Sequence, residues 1–348
     1  MTSTANGQRL DTLGLFEEVL GTPERVAAVA DSASLVDGLP GHDAIAQVVL
    51  LGAGDSALAG ELIAAVAGPF MAVPVIVDRG HELPSFVGPE TFVIALSSTG
   101  TTEDTVEAAS AAVEAGAHLL AVTRPDGRLA EVAGSWGSAV VHLPSDTHPR
   151  TAFLPLAVIP LLALEQLGFY PGAREWISEA VDQLVVRRDQ LASAASPARE
   201  IARAIDRTIP VIYGGGPLGA VAALRWKQQL NVSAKIPAFC NTVPELVHNE
   251  IAGWGQHGDV TRQVFTQIDL RHDHEHPSVS EQFAIVDELT LEVVADIVRV
   301  DAAGDGPLAQ LLDLVLIGDV VALELAAREG VDPGPVPAVE AARAVVRR

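Results

Sequence analysis

Residues 91–105, TFVIALSSTGTTEDT, hold the densest group of side chains able to grip an anion. The apolar run from Phe92 to Leu96 ends in Ser97, Ser98, Thr99, Thr101 and Thr102 around Gly100, and Glu103 and Asp104 follow in the first turn of a helix. A buried strand that delivers hydroxyls and free backbone N–H groups to a helix N-terminus makes a receptor for an anion, typically phosphate. An ordinary N-cap requires one such hydroxyl, and five around a single glycine exceed that requirement. A second turn, Gly52-Ala53-Gly54-Asp55-Ser56, also follows an apolar stretch and precedes a helix. It departs from the dinucleotide fingerprint G-x-G-x-x-G at Ala57, and the next glycine comes only at Gly60. With Asp78 as the ribose-binding acid, a nicotinamide oxidoreductase is an alternative, but it leaves the hydroxyl loop without a role.

Bulk composition narrows the ligand and the setting. The net charge of −23 argues against nucleic acid or an anionic membrane as partner. Lys227 and Lys235 are the only lysines, so an anion must be held by hydroxyls, helix N-termini and a few placed arginines. No apolar run of 18 or more residues lacks a polar break, and the first 14 residues lack the basic start and apolar stretch of a signal peptide. Cys240 is the single cysteine, which excludes an intrachain disulfide, fits a reducing cytoplasm and reads as a small core residue. His272, His274 and His276 would face one way on a strand and could hold zinc. Asp273, Glu275 and Pro277 favour a solvated loop there, so neither metal nor cofactor is expected.

These groups need elements to carry them. A helix is expected over 10–32, then strands at 46–51, 74–78, 91–96, 118–123 and 138–143, with helices at 56–67 and 102–115 between them. Strands apolar throughout and alternating with helices imply a parallel sheet covered on both faces. Residues 151–168 read as a buried helix despite Pro155 and Pro160. Helices near 173–194 and 197–206 lead to a strand at 209–213, a glycine turn at Gly214–Gly216 and a helix from about 217 to 231. LLGAGDSALAGELIAA at 50–65 and IYGGGPLGAVAALRWK at 212–227 form a weak internal repeat, which suggests two similar α/β halves. Strands at 263–269 and 291–300 and helices at 307–329 and 336–347 complete the chain.

The GxGxS turn, the Ser97–Thr105 loop, PRTAF at Pro149–Phe153, PELVHNEIAGW at Pro244–Trp254 and Asp332-Pro333 before a closing helix together resemble the SIS (sugar isomerase) domain proteins. The similarity is to the bifunctional phosphoglucose/phosphomannose isomerase branch and runs from about residue 45 to the C-terminus. The resemblance implies a doubly wound, flavodoxin-like α/β fold of two SIS subdomains, each a parallel sheet flanked by helices, and a homodimer. A helical segment over 1–44, a first subdomain over 45–168 with the phosphosugar loops and a second over 169–348 are expected. It further implies that Gly54, Ser56, Ser97, Thr99 and Thr102 bind the sugar phosphate and that Arg150 lies beside the substrate. His248, reaching over from the partner subunit, would assist ring opening.

Two departures bear on catalysis. The family segment Asn-Glu-Asn-Ala-Lys, whose carboxylate moves the proton between C1 and C2, is here Asn231-Val232-Ser233-Ala234-Lys235. A lysine of the family's terminal helix is matched by Arg343. Valine transfers no proton, and an arginine keeps its positive charge without donating one at neutral pH. Asp55 also replaces a small residue of the glycine turn and adds negative charge near the expected phosphate. The expected function is a hexose-phosphate-binding protein of this family whose isomerase activity is in doubt because Val232 replaces the base. One alternative is an active aldose–ketose isomerase with Glu245 or Glu250 as a displaced base, and another is a non-catalytic sugar-phosphate sensor.

Overall fold

Strands that are apolar on both faces need cover on both sides, as in a parallel sheet flanked by helices, and this chain builds two such sheets. The computed structural model describes residues 9–33, 35–80 and 82–346, without the side chains of 343–346. The helix expected over 10–32 is parted at Gly21 into α1 (Leu15–Leu20) and α2 (Thr22–Ser32). The first sheet then follows as β1 (Gln47–Leu51), α3 (Asp55–Ala67), β2 (Val75–Asp78), β3 (Thr91–Ser97), α4 (Glu103–Glu114), β4 (His118–Thr123), α5 (Arg128–Ser135) and β5 (Ala139–His142). α6 (Phe153–Gln166) keeps Pro160 inside it and buries its first twelve residues.

The strand order β2-β1-β3-β4-β5 is parallel throughout and flavodoxin-like. Every residue of β3 is buried, as a central strand requires. From β1 the chain crosses to β2 on one side and then returns to β3 on the other. The connections leaving β1 and β3 therefore diverge, and a crevice opens at their C-terminal ends.

α7 (Ala173–Ala192) and α8 (Pro197–Ile205) precede the second sheet. It comprises β6 (Ile209–Gly215), α9 (Gly216–Gln229), β7 (Phe239–Val243), α10 (Gly258–Val264), β8 (Phe265–Arg271), α11 (Pro277–Thr290) and β9 (Asp296–Asp301). α12 (Gly306–Glu329) and α13 (Pro337–Val346) close the chain. The order β7-β6-β8-β9, again parallel, repeats the crossover of β2-β1-β3-β4 and gives the weak sequence repeat its structural basis.

Several elements differ from expectation. β7, α5, α10 and α11 lie outside the elements expected from the sequence, and the last two strands begin at Phe265 and Asp296 rather than at 263 and 291. β7 escapes a hydrophobicity reading because Phe-Cys-Asn-Thr-Val is an edge strand, with Phe239 exposed and only Val243 buried. The alternating histidines form neither strand nor wholly solvated loop. They make the turn from β8 into α11, where His272 is buried and His276 caps α11, its Nδ1 accepting from Ser278 N at 3.2 Å.

Contacts between Cα atoms divide the chain into two units. The first-sheet unit holds Thr22–Asp182 with Asp305–Ala309, and the second-sheet unit holds residues through Gly21, Gln183–Gly304 and those from Gln310 onward. Among the described residues no helix is long and apolar enough to cross a membrane. Nor does any group of three His, Cys, Asp or Glu among them have the arrangement to hold a metal ion.

Candidate functional site

The two expected phosphate turns meet at the β1/β3 crevice. β1 and β3 pair directly, with Leu51 opposite Ala95, so Gly54–Ser56 and Ser97–Thr102 emerge side by side. Gly54 enters α3 with φ 57°, and Ser56 in the first turn of that helix accepts from Ser98 N at 3.3 Å. Ser97 is buried, and its hydroxyl accepts from Gly100 N at 3.0 Å. These two serines therefore shape the loop as much as they line it.

The remaining hydroxyls stand nearer to solvent. Thr99 Oγ1 accepts from Thr101 N at 3.3 Å and from Thr101 Oγ1 at 3.2 Å. Thr102 is the N-cap residue of α4, yet its hydroxyl makes no capping hydrogen bond. The N-termini of α3 and α4 thus open beside half-exposed hydroxyls, an arrangement suited to an anion. Gly100 fixes the path of the loop. Its φ is +72°, and a Cβ there would lie 2.5 Å from Gly127 Cα and 2.8 Å from Thr123 Oγ1. Leu129 N donates to Gly100 O at 2.9 Å and ties the loop to α5.

Arg150 lies in the short 3₁₀ turn Pro149–Thr151 ahead of α6 and is half-buried. His148 caps that turn, its Nδ1 accepting from Arg150 N at 3.2 Å. Arg124, just after β4, donates to Thr147 O at 3.2 Å and to Ser145 O at 3.3 Å. The segment bearing Arg150 is thereby fastened to the C-terminal end of β4, the same edge that carries the hydroxyl loop.

The other expected site residues belong to the second-sheet unit. α9 ends in a π-helical turn, Leu230–Ala234, which carries Val232 half-buried. Lys235 follows with φ 61°, its ammonium donating to Val232 O at 2.5 Å and Pro333 O at 3.3 Å. Glu245 and His248 lie exposed on a 3₁₀ turn, Glu245–His248. Arg343 falls on α13, and its side chain lies outside the described residues.

Glu250 is differently placed. Its Oε1 accepts from Tyr213 Oη and its Oε2 from Asn241 Nδ2 at 2.8 Å, while Trp254 Nε1 donates to Tyr213 Oη at 3.0 Å. Burial first, and then the Glu250 carboxylate, push the Tyr213 phenol above its ordinary range. Tyr213, Asn241 and Trp254 carry no motif that marks this role. Only the pairing of β6 with β7, Tyr213 opposite Asn241, brings the first two together.

Comparison with known proteins places the chain. A family model described as the bacterial phospho-glucose isomerase C-terminal SIS domain matches residues 194–346. A bifunctional phosphoglucose/phosphomannose isomerase of Caldicellulosiruptor bescii is 31% identical over 331 residues, covering 94% of this chain and 97% of that one. The chain belongs to the bifunctional phosphoglucose/phosphomannose isomerase family. Another relative of that name, from Thermoplasma acidophilum, is also 31% identical, over 84% of this chain and 87% of its own. A solved glucose-6-phosphate isomerase like protein from Thermus thermophilus superposes with a TM-score of 0.60 at 21% identity. It covers 97% of this chain and 99% of its own, and at that identity the likeness speaks for the fold alone.

Proposed function

We propose that this member of the family binds a hexose phosphate at the β1/β3 crevice and that its isomerase activity is strongly reduced. The observation that carries the binding is Thr102, which caps α4 without using its hydroxyl on the helix, beside Thr99. The helix N-termini and these hydroxyls bind the phosphate, Ser56 and Ser97 hold the loop in shape, and Arg150 lies beside the sugar. The exposed His248 suits a homodimer in which it serves the partner's site.

Aldose–ketose isomerisation needs a base to carry the proton between C1 and C2. Val232 offers no titratable group where the family places its carboxylate. Glu250 is a poor substitute because both of its oxygens already accept hydrogen bonds from the chain. Binding therefore outlasts efficient turnover in this reading.

Thermal melting with fructose 6-phosphate tests the binding. The phosphosugar raises the melting temperature by linkage, and unphosphorylated fructose does not. Replacing Thr99 and Thr102 together with valine abolishes the shift; an equal shift in the double variant places the ligand elsewhere.

A further inference from the structure

The two sheets share one crossover, so the turn after β8 occupies at the second crevice the place that the hydroxyl loop occupies at the first. Its chemistry is the opposite. Glu275 folds back over the glycine turn at the end of β6, and a Cβ on Gly215 would lie 2.8 Å from its Oε1. Three donor groups surround the carboxylate. Arg271 donates through Nε to Oε1 at 2.9 Å and through Nη2 to Oε2 at 2.7 Å. His272 N reaches Oε1 at 3.1 Å, and Ser280 Oγ reaches Oε2 at 3.0 Å. The Glu275 side chain is only 2% exposed, and Arg271 is buried against the ring of Phe283, 4.1 Å from its centroid. His272 pairs through Nε2 with Gly215 O at 2.8 Å, which leaves its buried Nδ1 without a partner.

We propose that Glu275 is an internal anion: Arg271, His272 N and Ser280 form an anion cradle at the second crevice, and the chain's own carboxylate fills it, which confines phosphosugar to the first sheet. Burial alone would raise the Glu275 pKa, but its hydrogen bonds from Arg271, His272 N and Ser280 outweigh that and hold it below the ordinary range. The cradle is thus occupied by a charged group. Removing one member of a buried pair leaves the other uncompensated, so an added anion should restore what the deletion removes.

Acetate, the carboxylate lost in Glu275→Ala, is the probe. The variant is expected to melt below the wild type and to recover several degrees saturably in acetate, with no such recovery in chloride of equal ionic strength. Wild type should not respond. In the Glu275→Ala background, Gly215→Val places a side chain in the vacated space and should abolish the recovery. If Glu275→Ala yields no soluble protein, refolding in acetate against chloride is the readout, and recovery in acetate alone supports the cradle. Absence of any acetate effect, or an effect untouched by Gly215→Val, overturns it. Calorimetry that finds two fructose 6-phosphates per wild-type chain overturns it as well. The acetate measurements do not involve the first sheet and stand whatever binds there.

Discussion

Tyr213 on β6 and Glu250 form one hydrogen-bonded unit, the phenol donating to Oε1 while Asn241 on β7 donates to Oε2 at 2.8 Å. This clasp fastens the segment between the two 3₁₀ turns, and with it His248, to the second sheet. Tyr213→Phe removes two hydrogen bonds, the phenol's own to Glu250 and the one it accepts from Trp254 Nε1, and should cost about 1–3 kcal/mol in denaturant unfolding. Glu250→Ala should cost about 2–3 kcal/mol, because the phenol, which keeps only its bond from Trp254, and the Asn241 amide both lose their acceptor. A Glu250→Ala protein as stable as wild type would remove the clasp from the account.

The chain has two tyrosines, and burial pushes both phenols above their ordinary range, with Glu250 adding to the effect at Tyr213. Each therefore holds its proton more tightly when folded than when unfolded, where it titrates near pH 10. Stability should be unaffected by these groups below about pH 10 and should fall as pH rises above it. Absorbance at 295 nm is expected to stay flat through the ordinary phenol range and to rise together with unfolding. Tyrosinate absorbance in the folded protein near pH 10 would contradict this.

Asp269 on β8 is buried and faces Asp287 on α11, with the Gln267 amide donating to both at 3.0 Å and 2.9 Å. Burial first, and then Asp287, push the Asp269 carboxyl up to about 8. A carboxyl raised on folding contributes stability that is complete below its unfolded pKa near 4 and is lost as pH rises from there to about 8. Asparagine imitates the protonated acid. Asp269→Asn should therefore be the more stable protein at pH 8.5, by about 1 kcal/mol or more, and the two melting curves should converge towards pH 4.

Gly100→Ala should disrupt the hydroxyl loop, since the added Cβ falls 2.5 Å from Gly127 Cα and the backbone keeps φ +72°. Overpacking of this kind costs about 1–3 kcal/mol. The response of the melting temperature to fructose 6-phosphate should vanish in the same variant. If the response survives at full size, the loop does not hold the phosphate.

Val232→Glu places a carboxylate on the π-helical turn Leu230–Ala234, where the proposed function has the base missing. Interconversion of fructose 6-phosphate with glucose or mannose 6-phosphate should rise about 10²-fold, the contribution of a positioned base. Brisk turnover by wild type, unchanged in Val232→Glu, would locate the base elsewhere, and Glu245→Gln would then be the measurement to make.

Much of the first crevice is legible before any coordinates because its signals are local. A wholly apolar run followed by Gly54 and Ser56, or by Ser97 to Thr102, dictates strand, turn and helix within a dozen residues, and each dictates its own anion-binding potential. The motifs in those turns and in Pro244–Trp254 likewise carried the family. Other features depend on long-range pairing that no periodicity encodes. β7 is half-polar because it is an edge strand, so its pairing with β6, and with it the meeting of Tyr213, Asn241 and Glu250, appears only in the fold. The order β2-β1-β3 alone makes Ser98 a partner of Ser56, 42 positions away. The same order repeated in β7-β6-β8 sets Glu275 over Gly215. Sequence determined which residues could grip an anion. Tertiary structure decided which of the two crevices stays open, because a carboxylate four residues past a strand fills a cradle only when the neighbouring strand brings a glycine turn beneath it.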